Sequence, residues 1–335
     1  MINSLSLGDL ANSLMLQQLE SALKTEMSRL TQELTSGQTS DVKGVLAGNY
    51  SYLAGIETGL STLKAHKVAT TEASQFTNSM QLVLGTVHDQ AMGFATDLIT
   101  VASGGLDSVA VQTGNEALEV LKSTIGAFNT SIAGRSLFAG AATDKLPLGD
   151  AEDVIAELRT VLAGVTGASS KLLAIDNWFS DPAGFEATIY HGSNSGVAPF
   201  DLSASEALTV DIKAMDEGIR DTLKNLAIAA IASDDIVDVD AAEREVLLRT
   251  AGERLLTNQD DLTAIRAKVG YAEARIESIA TRNASESVSL EYAKGSLLEA
   301  DPYETAMRLE EVQFQLQSLY TVTAKTSKLS LVNFL

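Results

Sequence analysis

The chain has 335 residues, no cysteine, 24 basic against 44 acidic side chains and a formal charge of −20. The length allows a sizeable core and two or three domains. The acidity argues against nucleic acid and anionic membrane surfaces as partners, since both need clustered Lys and Arg. The absence of Cys excludes disulfides, thiolate metal sites and thiol chemistry.

Two further global features direct the reading. No basic n-region precedes Lys24, so a cleaved leader is not expected. The most apolar run, Leu226 to Ala232, is far short of the roughly 20 residues a membrane span needs. Prolines occur only at 147, 182, 199 and 302, which leaves the first 146 residues open to long helices.

In residues 1–36, Leu16, Leu19, Leu23, Met27, Leu30 and Leu34 step by three or four and predict an amphipathic helix. Ser36-Gly37 ends it. Residues 38–57, with Gly44, Gly48 and Gly55, predict a spacer. From Thr58 to about Ser103, Phe76, Met80, Val83, Val87, Ala91, Phe94, Leu98 and Val101 mark one face of a helix approaching 70 Å. Ser103-Gly104-Gly105 breaks it. A second helix over about 108–133 carries Leu118, Leu121, Ile125, Phe128 and Ile132. The short link between them predicts an antiparallel pair.

The middle, about 147 to 214, changes character. Asp150 to Leu173 predicts one or two short helices. Period-two alternation then predicts strands at Phe185-Ala187-Ile189, at Phe200-Leu202-Ala204 and at Leu208-Val210-Ile212, with Gly192 to Gly196 as a turn. Helix resumes near Met215 and is interrupted by the acidic run Asp234–Asp240. From Asp240 to Glu299, Leu262, Ile265, Val269, Ala272, Ile276 and Ile279 hold a 3-4 heptad that places Asn283 at a core position, where a polar residue fixes register.

The last stretch opens Asp301-Pro302-Tyr303-Glu304, which suits an N-cap, a first helical proline and a glutamate bonding back to the cap. Leu309, Val312, Leu316 and Leu319 then mark one face of a helix about 50 Å long. The chain stays apolar through Leu329, Leu331, Phe334 and Leu335, whose burial is worth roughly 6–12 kcal/mol at about 1.5–3 each. A lone helix cannot bury its own stripe, so these residues need a partner. Here a core reading and an assembly reading nearly coincide. Only at the termini, where intramolecular cover is least, does the sequence favour assembly between copies.

No catalytic constellation is present. His66, His88 and His191 are far apart and form no His-Glu-x-x-His pair. Gly192 to Gly196 has Asn194 where a nucleophile elbow needs serine. The acidic run lacks the glycine and distal glutamate of a calcium loop, and a carboxylate-rich helix start explains it. No catalytic, cofactor or metal residue is assigned, and no enzyme activity is expected.

The predicted fold is mainly α. It is an elongated antiparallel helical-bundle or coiled-coil rod with both termini at one end and a small α+β insert at the other. It divides into a terminal coiled-coil domain (1–38 and 300–335), a helical rod (39–146 and 215–299) and the insert (147–214).

Five segments resemble the bacterial flagellin superfamily. They are the ending Ala324 to Leu335, the break Glu299-Ala300-Asp301-Pro302-Tyr303-Glu304, Val269-Gly270-Tyr271-Ala272-Glu273, Gly134-Arg135-Ser136-Leu137-Phe138-Ala139-Gly140 and Leu34-Thr35-Ser36-Gly37. Within that superfamily the likeness is to hook-associated subunits that join hook to filament. The resemblance implies a structural subunit exported by the flagellar type III apparatus without a cleaved signal peptide. It implies an extracellular place at the hook–filament junction and assembly as a homo-oligomeric ring through the terminal helices. Implied partners are a neighbouring hook-associated junction protein, flagellin, and the export apparatus or a chaperone. No cofactor is implied. A filament flagellin is the alternative within the family, and a cytosolic coiled-coil scaffold the alternative outside it.

Overall fold

The computed structural model describes the backbone of residues 3–46 and 48–332 and the side chains of residues 11–46 and 48–325. It is 73% helical. The order is α1 (Asn3–Ser36), α2 (Val42–Leu46), α3 (Ser51–Gly104), α4 (Asp107–Phe128), β1 (Ser131–Ile132), β2 (Arg135–Ser136), α5 (Ala151–Val161), α6 (Ala168–Ser180), α7 (Phe185–Thr188), β3 (Phe200–Ser203), β4 (Glu206–Leu208), α8 (Glu217–Ile231), α9 (Ala241–Thr257), α10 (Gln259–Leu297) and α11 (Pro302–Val332).

The chain divides into two compact units where three parts were expected: residues 1–62 with 285–335, and residues 63–284. The expected insert is not separate from the helices around it. Leu158 of α5, Ile175 and Phe179 of α6 and Phe185 of α7 are buried in the same cluster as Leu121 of α4 and Leu226 of α8. Helix α8 runs through that core, where Leu226 to Ala232 is covered on every side. A helix apolar all round belongs in a core.

Close helix approach in this unit uses glycine. A Cβ on Gly114 of α4 would stand 2.0 Å from Ser233 Oγ and 3.1 Å from the Ala229 carbonyl of α8. One on Gly252 of α9 would stand 2.8 Å from the Ala95 carbonyl of α3.

Two of the expected strands are absent. Phe185 to Thr188 is the short helix α7, because Asp181 turns the chain before it, accepting from Ala183 N (2.9 Å) and Gly184 N (2.9 Å). Phe185 then stacks on Phe179 at 4.8 Å. The alternation of Phe185, Ala187 and Ile189 reflects two buried residues four apart, a spacing that a helical turn also satisfies. Val210 and Ile212 are buried outside any strand. Phe200–Ser203 is a strand as expected, paired antiparallel with Glu206–Leu208.

That ribbon explains Asn283. Its side chain is buried and its Nδ2 donates to the Leu202 carbonyl at 2.8 Å. The heptad polar residue therefore pairs with strand backbone, not with another helix. Glu206 of the ribbon accepts from Arg275 and Arg282 of α10, and Phe200 meets Phe76 of α3 at 5.7 Å.

The Gly134 to Gly140 segment also has a local cause. Ala133 (φ 50) and Gly134 (φ 77) form the two-residue turn between β1 and β2, the conformation such hairpins require. Leu137 and Phe138 are wholly buried, and Phe138 meets Phe128 edge-on at 5.1 Å. Gly140 has φ 60, and a Cβ there would stand 2.4 Å from the Ser193 carbonyl and 2.5 Å from that of Ser195.

The acidic run is structural where its partners are seen. Asp234 binds Arg159 through both carboxylate oxygens, and Asp240 caps α9 by accepting from Glu243 N at 2.7 Å. Burial opposes the charge on Asp234, yet the Arg159 bond and two backbone N–H groups outweigh it and lower its pKa.

Candidate assembly interface

The unit formed by residues 1–62 and 285–335 carries the stripes singled out above. Its helices α1 and α11 lie along one another. The direction is antiparallel. Gln38 bridges Glu299, Thr39 N donates to the Leu298 carbonyl (2.8 Å), and Ala300 N donates to the Gly37 carbonyl (3.0 Å). Further along, Tyr320 Oη donates to Glu20 Oε1 at 3.0 Å, and Lys24 lies 5.9 Å over the Tyr320 ring.

The turn between α1 and the rest is built by one buried acid. Gly37 (φ 69) takes the left-handed conformation and donates its N–H to the Glu33 carbonyl at 2.8 Å, closing α1. Glu33 is only 4% exposed. Its Oε1 accepts from Arg29 Nη1 (2.6 Å) and Ser40 N (2.6 Å). Arg29 also binds Glu26, and that bond lowers the Glu26 pKa against the opposing effect of burial. The stripe reading passed over Glu33 as a polar residue between Leu30 and Leu34. Its signal was the Arg29–Glu33 spacing of four just before the turn.

Asp301 starts α11 as expected, its Oδ1 accepting from Tyr303 N (2.8 Å) and Glu304 N (3.1 Å). Glu304 does not complete a capping box. It pairs with Arg308 at 2.6 Å.

The stripes are placed as follows. On α1, Leu30 is buried, and Leu16, Leu23 and Met27 are half-buried. Leu19 and Leu34 are exposed, at 47% and 40%. On α11, Val312 and Leu319 are buried, and Leu309 and Leu316 are half-buried. The side chains of Leu329, Leu331, Phe334 and Leu335 lie outside the described residues. A second small cluster, Leu46, Leu53 and Leu298 with Val42 and Leu297 against it, joins α2 and the start of α3 to the end of α10.

Residues 255–335 match the family model of the bacterial flagellin C-terminal helical region. The matched residues take in α10 and α11, hence the C-terminal stripe and the Asp301 cap. The match supports the flagellin superfamily. A solved structure described as a candidate flagellar hook-associated protein from Vibrio parahaemolyticus is similar over 73% of this chain and 95% of that one. Its TM-score is 0.53 at 11% sequence identity, a likeness of fold. No curated protein matches the chain by sequence.

Proposed function

We propose that this chain is a structural subunit of the bacterial flagellum, polymerising through α1 and α11. The finer reading is the third hook-associated protein, the subunit that joins hook to filament. The observation that carries the proposal is the flagellin C-terminal match over the two helices whose apolar stripe needs a partner. The α1–α11 pair supports it, because two helices cover only one side of each other and leave Leu19 and Leu34 in solvent.

In this reading the mechanism is packing, with no chemical step. Leu16, Leu19, Leu23, Met27, Leu30, Leu34, Leu309, Val312, Leu316, Leu319, Leu329, Leu331, Phe334 and Leu335 form the assembly surface. A junction ring meets different partners above and below, so its contacts are heterologous. The subunit leaves the cell through the flagellar export apparatus and meets a neighbouring hook-associated protein and flagellin. The likeness of fold to a structure described as hook-associated is in keeping with a hook-associated role.

The test removes residues 324–335. The truncated chain keeps a cooperative thermal transition by circular dichroism but no longer assembles, and cells carrying it shed or lack filaments. Normal filaments on such cells would falsify the proposal. Labelled full-length protein marks one spot at the filament base. Label along the whole filament selects the flagellin alternative.

A further inference from the structure

Where the turn after α1 meets the start of α11, the chain encloses a cavity of about 440 Å³. Three segments of one compact unit line it: the end of α1, the link 39–45 and residues 299–308. That volume is in the range of small-molecule sites. Its charge is one-sided. Glu33, Asp41, Glu299, Asp301 and Glu304 are set against Arg29 and Arg308 alone. Both guanidinium groups are already engaged, Arg29 by Glu26 and Glu33, and Arg308 by Glu304. Asp41, Glu299 and Asp301 have no ion-pair partner among the described residues.

An acidic rim by itself is ordinary solvated surface. The observation that points to a ligand is a buried hydroxyl. Thr305 of α11 lines the cavity and is 6% exposed, yet its Oγ1 has no hydrogen-bond partner among the described residues. Other threonines of this helix pair turn Oγ1 back to a carbonyl four residues earlier, as Thr25, Thr31 and Thr321 do. The carbonyl that Thr305 could use, on Asp301, accepts only the Thr305 N–H. Nor is the hydroxyl sealed from solvent, as the Asn225 and Asn258 Oδ1 atoms are, so it opens on the cavity. Buried Glu33 is similar. Its Oε1 accepts from Arg29 and Ser40 N, while Oε2 has no bond.

We propose that this cavity binds a primary alkylammonium ion. Its three N–H donors match Thr305 Oγ1, Glu33 Oε2 and the Glu299 carboxylate at the rim. A guanidinium favours two oxygens presented in one plane, whereas these acceptors come from separate segments. Among the described residues, no group of three or more His, Asp or Glu side chains converges as a metal site would require. Leu30 and Val45 supply apolar wall for the alkyl stem. The bound ion adds a bridge across the turn that Thr39 N to Leu298 O and Ala300 N to Gly37 O already close. None of this depends on the assembly reading.

The test is calorimetry on the full-length protein with n-butylammonium chloride at constant ionic strength. The expected result is saturable one-site binding with Kd on the order of 1 mM, as suits so small a ligand. Tetramethylammonium, with the same charge and no N–H, gives no saturable binding. Thr305→Val, which keeps the shape and removes the hydroxyl, weakens butylammonium roughly tenfold. Thr305→Ser restores most of the affinity. Glu299→Gln weakens binding independently and, lying at an exposed position outside the helices, keeps the test decisive should Thr305→Val lose helix by circular dichroism. N-acetyl-lysinamide identifies the source of the ammonium: binding equal to butylammonium assigns a lysine side chain of a protein, and weaker binding a free amine. Absence of saturable butylammonium binding overturns the proposal. So does equal binding of tetramethylammonium, or unchanged affinity in folded Thr305→Val.

Discussion

Asp216 shows how one half-buried side chain ties stability to pH. It precedes α8, with its carboxylate accepting from Lys213 N at 3.3 Å. Burial raises its pKa, and the Lys213 bond only partly opposes this. The folded state therefore holds the proton more tightly than the unfolded chain. Above the folded pKa the charged group costs stability. The cost fades as pH falls through that value and is gone below the unfolded value of about 3.9. Asp216→Asn keeps an acceptor at the cap without the charge. Its urea midpoint should exceed that of the natural chain at pH 7, and the gap should close by about pH 4. A gap independent of pH would rule out burial of charge as the cause. Lys171 contrasts with this site. Its ammonium is buried, yet it meets Glu243 at 2.5 Å, and Glu243 also accepts from Gly167 N. A charge with a partner in place can stay buried.

Among the elements, the β1–β2 hairpin and the loop after it hold a strong backbone constraint. Ala133 occupies a left-handed position that asparagine and glycine prefer. Ala133→Asn should stabilise by roughly 0.5–1 kcal/mol, on the order of the strain relieved. Gly140→Ala should destabilise by about 1–3 kcal/mol or more, since it adds left-handed strain to a clash with two backbone carbonyls. Chemical denaturation of both variants, with opposite shifts in midpoint, checks the pair. Equal midpoints would mean the loop relaxes freely. The same loop explains why Leu137-Phe138 reads as a motif. The two side chains plug the core while Ala139 and Ala141 bond to backbone near Ser193 and Ser195.

For the molecule as a whole, the distribution of buried side chains separates the two units. The large core cluster, Ala73 to Ile279, lies wholly within residues 63–284. Among the described residues, the other unit has a few buried apolar side chains, Leu30, Leu46, Leu53, Ile56, Leu298, Val312 and Leu319. Stability follows buried apolar area, so the two units should open separately. A fragment of residues 63–284 should unfold in one cooperative transition near the main transition of the full chain. In the full chain, amide exchange should be fastest in α1 and α11. A fragment without cooperative unfolding, or ends as protected as α8, would refute this division.

The sequence alone determined the long helices, the Asp301 start of α11 and the stripe on that helix. Each depends on neighbours three or four residues apart, so Val312, Leu316 and Leu319 declare their shared face without any tertiary partner. It also carried the family likeness at the C-terminus, where the motifs are contiguous. Only the tertiary structure decided what each polar and each short apolar segment meets. Asn283 found a strand carbonyl, Glu33 found Ser40, and Phe185 found Phe179. Those partners are distant in sequence or lie across a turn, and no local period encodes them. Nor does a period distinguish a covered stripe from an uncovered one. Phe314 and Leu316 are both apolar in the sequence, and their different fates follow from which side of α11 faces α1.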